Sequence, residues 1–105
     1  MKTALLREKA RDDLRHQLAY YRREASQTVA LQLRTIAQSS IGLLEQNPGL
    51  GSPTLGKELE IDNLRTWRLT GFPLLWLYIE HPTHLDFVRL LGQQQDIVAI
   101  LESEL

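Results

Sequence analysis

The chain has 105 residues, a formal net charge of −1 and no cysteine. Its length fits a single domain over residues 1–105, and without cysteine it forms neither disulfides nor thiolate metal sites. The balanced charge carries no basic signal, so we expect no direct contact with nucleic acid or with a membrane. No apolar run approaches the ~20 residues of a membrane helix, and too few apolar residues open the chain for a signal peptide. We therefore expect a cytoplasmic protein.

The first half of the chain predicts a short strand and two helices. Thr3–Leu6 is apolar and bounded by charges, which suits either an edge strand or the lead-in to a helix. From about Lys9, apolar residues recur every three or four positions, as on one face of a helix. Ser26 can cap a second helix, which the Asn-Pro-Gly sequence at 47–49 ends. Two amphipathic helices with so short a link predict an antiparallel hairpin that packs on a sheet.

The second half predicts an antiparallel meander, which follows an irregular connection at 48–56. Strands at about 63–69, 74–80 and 85–91 are separated by two turn sequences that contain glycine or proline. The middle strand is apolar at every position from 74 to 79, which indicates cover on both faces. After Gly92, apolar residues at 97, 100 and 101 predict a short closing helix. The fold class is therefore α+β: a short N-terminal strand, a helical hairpin on a small antiparallel meander sheet, and a short C-terminal helix.

Signals for catalysis or metal binding are weak. His81 and His84 flank a turn beside Glu80 and Asp86, but a polar hairpin tip explains this cluster more simply than a metal site. The glycines at 49–56 lack the Gly-Lys-Ser/Thr ending of a phosphate loop, and no serine lies in a Gly-x-Ser-x-Gly pattern. We therefore expect no metal and no cofactor.

Several short motifs follow one another along the chain: Ala10-x-x-Asp13-Leu14 with Tyr20-Tyr21, Leu44-x-x-x-Pro48-x-x-Gly51, Leu64-Arg65, Phe72-Pro73, Tyr78, and Arg89-Leu90-Leu91 with Asp96. In this order and spacing they resemble the ParE branch of the RelE/ParE toxin superfamily, the toxins of bacterial type II toxin–antitoxin modules. The resemblance implies a helical hairpin packed on one face of the sheet, with Thr3–Leu6 as an edge strand.

The related RelE branch cleaves messenger RNA on the ribosome, a reaction that needs cations and acid–base groups converging on one phosphate. We align this chain with the RelE branch through Gly71 and Gly92. On the face of the second strand where that branch has its cations, Arg68 is the one cation left. We therefore expect that the chain is not an enzyme. The nuclease positions instead hold Leu64, Thr66, Pro73, Gln94 and Ile100.

The resemblance implies a toxin that acts by protein–protein binding, inhibits DNA gyrase, and forms a hetero-oligomer with a ParD-like antitoxin that neutralises it. Two alternatives stay open: a ribosome-dependent mRNA endonuclease of the RelE type, and a binding relative that is not toxic.

The alignment also sets the phase of the strands, with Trp67, Trp76 and Tyr78 directed toward the hairpin. The opposite face then presents apolar side chains that either the tail helix or an antitoxin segment must cover. Three arginines are candidates for polar contacts. The predicted partner-binding residues are Arg65, Arg68, Leu75, Leu77, Ile79 and Arg89.

Overall fold

The computed structural model describes residues 1–104 as a four-stranded sheet with helices on both faces. This confirms the predicted α+β fold, including the edge strand at Thr3–Leu6. The elements in chain order are β1 (Thr3–Leu6), α1 (Glu8–Glu24), α2 (Gln27–Gln46), a 3₁₀ turn (Pro48–Leu50), α3 (Thr54–Glu58), β2 (Leu64–Arg68), β3 (Leu74–Glu80), β4 (His84–Gly92) and α4 (Ile97–Glu104).

The sheet combines an antiparallel meander with one parallel strand. Its order is β1-β4-β3-β2, with β2–β3 and β3–β4 antiparallel and β1 parallel to β4. Parallel strands need a long crossover between them, and here the hairpin of α1 and α2 forms part of that crossover. At the link between the two helices, Ser26 Oγ accepts a hydrogen bond from the Val29 backbone N–H at 3.1 Å, the predicted N-cap.

Two apolar cores lie on opposite faces of the sheet. The hairpin core contains the fully buried Trp76, Tyr78 and Phe87, covered by α1 and α2. The second core lies on the other face, which we call the outer face, and is covered by α3 and α4. Strand phase therefore follows the predicted alternation, with both faces of β3 buried as its apolar sequence indicated. The sheet residues of the outer face are Leu64, Leu75, Leu77, Ile79, Val88 and Leu91.

The prediction of an irregular connection at 48–56 missed the short helix α3. Leu55 and Leu59 lie one helical turn apart and pack with Ile61 against the second core. A helix of five residues has too few turns for its periodicity to stand out in the sequence.

Side chains and a loop satisfy the exposed edges of the sheet. The Glu45 carboxylate accepts from the Ala4 N–H at 2.8 Å, and Ser52 exchanges two backbone hydrogen bonds with Thr66 on β2. Beyond the end of β1, the Asp13 carboxylate accepts from the Leu90 N–H of β4 at 3.0 Å. Each of these contacts occupies backbone groups that would otherwise be open to another strand.

The loop after α2 is held against β3 by Tyr78. Its hydroxyl donates to the Pro48 carbonyl at 2.8 Å and accepts from the Gly51 N–H at 3.0 Å. A Cβ on Gly51 would lie only 2.8 Å from Cε1 of that ring, although the backbone of Gly51 (φ −65°, ψ 152°) suits any residue. The close approach of the tyrosine therefore explains the glycine of the Pro48-x-x-Gly51 motif.

The buried indole of Trp76 depends on one serine of α2. Trp76 Nε1 donates to Ser40 Oγ at 3.0 Å, and the Ser40 hydroxyl donates to the Ala37 carbonyl at 2.7 Å. Trp76 is 0% exposed, so no water can replace this acceptor.

We predict that Ser40→Ala lowers the free energy of unfolding by about 1–3 kcal/mol, because it leaves a buried N–H without a partner. Urea denaturation monitored by tryptophan fluorescence measures the change. The matched control is Ser39→Ala, at the exposed neighbouring position, which should change stability by less than about 0.5 kcal/mol. Equal effects of the two variants would contradict the assigned role of Ser40.

We also predict that Gly51→Ala destabilises the fold by about 1–3 kcal/mol, because the Tyr78 ring must shift to admit a methyl group. Gly49→Ala is the control, since a Cβ at Gly49 meets nothing within 4 Å. Urea denaturation of both variants gives the comparison. A Gly51→Ala protein as stable as Gly49→Ala would show that Tyr78 does not restrict this position.

Candidate partner-binding surface

The outer face of the sheet is the predicted binding surface, and α4 lies across much of it. Leu101 of α4 is 1% exposed and packs against the sheet with Ile97 and Ile100. Beneath this layer Leu77 is fully buried, whereas Leu75 and Ile79 are only half-buried. The fold therefore leaves the rim of the outer face partly open and covers its centre.

Both ends of α4 are fixed by polar contacts. At its start, Asp96 Oδ1 accepts from the Ala99 N–H at 3.1 Å, a side-chain N-cap. At its end, the Glu104 carboxylate accepts from Lys9 Nζ at 2.8 Å and from Arg89 Nη1 at 3.2 Å. The Glu104 carbonyl also accepts from Arg7 Nη1 at 3.2 Å. The hydrogen bond from Lys9, reinforced by Arg89, lowers the pKa of Glu104 below its ordinary value of 4.5.

Arg89 is the centre of this ionic cluster. Its Nε and Nη2 bind both oxygens of Asp13 at 2.7 and 2.9 Å, a two-point pair between β4 and α1. This hydrogen bonding raises the pKa of Arg89, and the guanidinium is only 17% exposed. A β-bulge precedes it, because Leu77 pairs with Arg89 while Tyr78 pairs with Phe87. Arg89 therefore joins the sheet to α1 and α4.

A second ion pair connects the beginning of α1 to β4. Arg7 Nε and Nη2 donate to the two oxygens of Asp86 at 3.0 and 2.8 Å. Burial by itself would raise the pKa of Asp86, but Arg7, with a smaller contribution from His81, holds it below its ordinary value of 3.8. The rings of His81 and His84 stack at 4.6 Å. Among residues 1–104, no group of three or more histidines and carboxylates is placed to hold a metal ion.

The other two predicted arginines differ from each other in their surroundings. Arg65 donates to the carbonyls of Gly49 and Gly51 at 3.2 and 2.8 Å, so it supports the loop that Tyr78 also holds. Arg68 is exposed, lies opposite Leu75 in the β2–β3 register and forms no ion pair within residues 1–104. Of the predicted arginines, Arg68 is thus the one whose guanidinium faces solvent beside the outer face.

The positions aligned with the RelE nuclease site do not form a catalytic cluster. Leu64 is 1% exposed, and Ile100 packs in the second core. Pro73 and Gln94 lie in exposed connections, and the backbone of Thr66 pairs with Ser52. No acid or base stands at any of these five positions.

Sequence reasoning missed several polar residues that shape this surface. Arg7, Lys9 and Glu104 had no assigned role, and Asp13 was noted only as part of its motif. These residues have partners far away in the chain: Lys9 and Glu104, for example, are separated by 95 positions. The only sequence signal was the presence of Asp13 and Arg89 in two separate motifs, without any indication that they form a pair.

Comparison with known proteins agrees with the geometry. The chain is similar to a solved structure described as the chromosomal ParDE TA system from P. aeruginosa, with a TM-score of 0.73 and 21% identity. The match covers 88% of this chain and 96% of the other, and at that identity it supports the fold alone. No curated protein matches significantly.

Among residues 1–104, no helix has the length and apolar character needed to cross a membrane. The profile of one protein family matches residues 4–97, and that family is described as the ParE toxin of the type II toxin–antitoxin system parDE. A match of this extent, on a fold that agrees with it, settles the classification: the chain belongs to the ParE toxin family.

Proposed function

We propose that this ParE-type toxin acts by binding DNA gyrase and inhibiting it, and that a ParD-like antitoxin neutralises it in a hetero-oligomeric complex. The observation that carries the proposal is the family match over residues 4–97. Gyrase and the antitoxin would meet the toxin in the cytoplasm, and the chain would need no cofactor.

A non-enzymatic mechanism is supported by the chemistry of the outer face. Cleavage of RNA requires groups that transfer protons and stabilise charge on a phosphate. The corresponding positions are apolar, uncharged or bound within the fold, and Arg89, with its charge paired to Asp13, is not a free phosphate ligand. Apolar surface with few charges is instead suited to protein contacts.

We propose that the antitoxin binds along the outer face, beginning at its open rim. Leu75 and Ile79 offer partly exposed apolar surface, and Arg68, which lies opposite Leu75, offers an exposed cation. An antitoxin segment with apolar residues and a carboxylate would complement this rim. Leu77 and Arg89 become accessible to a partner only if α4 moves away, and Arg65 would contribute by holding the neighbouring loop.

The proposed function makes a first prediction about the cellular target. Induction of the chain without an antitoxin should cause filamentation and a DNA-damage response, and the purified toxin should inhibit supercoiling by gyrase in vitro. Co-expression with a ParD-like antitoxin that binds the chain should restore growth. Immediate arrest of translation with cleaved messages would contradict the gyrase mechanism and indicate an endonuclease, whereas normal growth would indicate a relative without toxicity.

A second prediction concerns the rim. Arg68→Glu should weaken antitoxin binding about tenfold, the effect of replacing an attractive rim contact with a repulsive one. Isothermal titration calorimetry with the purified antitoxin measures the change. Arg11→Glu is the control, because Arg11 is also an exposed arginine but lies on α1, away from the outer face. Unchanged affinity for Arg68→Glu would exclude this rim as the antitoxin site.

A third prediction concerns the attachment of α4. Glu104→Gln should speed hydrogen exchange in α4 and lower stability by about 1 kcal/mol, as for a partly exposed ion-pair network. The folded-state pKa of Glu104 is lowered, so its contribution is complete above its ordinary pKa of 4.5 and disappears as pH falls through the lower folded value. The difference from the unmodified protein should therefore shrink in that acidic range.

Glu102→Gln is the matched control for this experiment, since Glu102 is exposed on the same helix. Equal exchange rates in the Glu104→Gln and Glu102→Gln proteins at neutral pH would show that the Glu104 contacts do not hold α4.

A further inference from the structure

Exposed arginines form a row along α1 that the function proposed above does not use. Arg11, Arg15 and Arg22 are all exposed. They lie four and seven residues apart, so they fall on one side of the helix over about 16 Å of its length. Within residues 1–104, Arg11 and Arg22 form no ion pair, and Arg15 pairs with Asp12 on the same helix. The helix α1 thus presents a line of guanidinium groups to solvent.

This row borders the groove between α1 and α2. Arg22 Nε donates to Gln27 Oε1 at 3.0 Å, which joins the facing sides of the two helices. Arg15 lies seven residues before Arg22, and Arg34 lies seven residues after Gln27, about two turns on each helix. Because the helices run antiparallel, Arg15 and the exposed Arg34 stand level with each other across the groove. We call the surface lined by Arg11, Arg15, Arg22 and Arg34 the arginine groove.

Few carboxylates compensate the charge of the arginine groove. Asp12 pairs with Arg15, and Glu8 stands one turn before Arg11. The other carboxylates of the hairpin are bound elsewhere, namely Asp13 to Arg89, Glu24 to Arg23, and Glu45 to the Ala4 N–H. Four arginines against two carboxylates leave a local excess of two positive charges. Like charges that face each other across a groove repel unless an anion lies between them.

The layer that covers the outer face has the opposite charge. Residues 54–63 contain three carboxylates and one lysine, and residues 93–104 contain three carboxylates and no cation. The net charge of −1 is therefore the sum of two unlike sides. The acidic side repels a long polyanion such as duplex DNA, because that interaction extends over the whole molecule. A carboxylate patch on a protein surface, in contrast, can meet the arginine groove alone.

The residue type in the groove also favours a protein partner. All four of its cations are arginine, and none is lysine. A guanidinium is planar and binds a carboxylate through two parallel hydrogen bonds. Arginine is accordingly enriched in protein–protein interfaces, whereas lysine is depleted there. Arg15 and Arg34, level across the groove, are placed to bind acidic side chains from both sides.

We propose that the arginine groove binds an acidic surface of the toxin's target, with carboxylates of the target between Arg15 and Arg34. This inference rests on the function proposed above, because it assigns the surface that meets the target protein. The groove lies on the hairpin side of the sheet, and the antitoxin site proposed above lies on the outer face. The two partners therefore occupy opposite sides of the chain.

A double charge reversal tests the proposal. The Arg15→Glu/Arg34→Glu chain should bind purified gyrase, in the absence of DNA, about tenfold more weakly, since it meets carboxylates with like charge. It should also lose toxicity in cells, while its affinity for a ParD-like antitoxin stays unchanged. The matched control is Arg23→Glu/Lys57→Glu, which makes the same change of charge at exposed positions outside the groove. Circular dichroism confirms that both variants are folded.

The outcomes separate the groove from the identity of the target. If the unmodified toxin inhibits gyrase and the Arg15→Glu/Arg34→Glu chain inhibits it equally, the groove is overturned and gyrase stands. If the unmodified toxin does not bind gyrase, that target fails. Loss of toxicity in the Arg15→Glu/Arg34→Glu chain alone then supports the groove, and equal toxicity of both variants overturns it.

Two further results would also count against the proposal. Tight binding of the unmodified chain to duplex DNA, lost in the Arg15→Glu/Arg34→Glu chain, would show that the partner is a nucleic acid and overturn the acidic protein surface. An unmodified chain that is not toxic would overturn both the groove and the proposed function.

Discussion

The constraint on which the fold depends is that β3 is apolar on both of its faces. A single layer of helices can cover only one side of a sheet, so the chain must supply a second layer or leave leucine and isoleucine exposed. The hairpin of α1 and α2 covers one side, and the short helices α3 and α4 cover the other. The polar groups that Trp76 and Tyr78 of β3 bring into the hairpin core are both satisfied: Ser40 accepts from the indole N–H, and the tyrosine hydroxyl bonds to the backbone of Pro48 and Gly51. Most of the remaining architecture follows from this double burial.

Charged residues in this protein mainly connect elements rather than form a reactive site. Asp13 accepts from both Arg89 and the Leu90 N–H, so one carboxylate ties α1 to β4 and closes an exposed strand edge. Arg7 and Asp86 tie the start of α1 to the same strand. Breaking one member of a partly buried pair leaves the other charge without compensation, so these residues resist substitution for structural reasons. That is why two of the three arginines predicted for partner contacts, Arg65 and Arg89, have roles inside the fold.

The outer face of the sheet is covered by shorter helices than the hairpin side. The hairpin contributes 37 residues in two helices, whereas α4 has 8 and is held at its end by Glu104. Helices of so few residues have little intrinsic stability and depend on their tertiary contacts. The face that we propose for the antitoxin is therefore also the face whose cover is most easily altered.

The sequence by itself determined the classes and order of the long elements, because helical and strand periodicity and turn residues are local signals. It predicted the hairpin, the meander and the double burial of β3, whereas the phase of the β3 side chains came from the family resemblance. Only the tertiary structure decided that β1 lies parallel to β4, that α3 completes the second core, and which arginines are bound within the fold. Those outcomes depend on side chains that meet across most of the chain, such as Arg7 with Asp86 at a separation of 79 positions. Periodicity carries no information on such distant pairs, since their approach is set by how the layers pack.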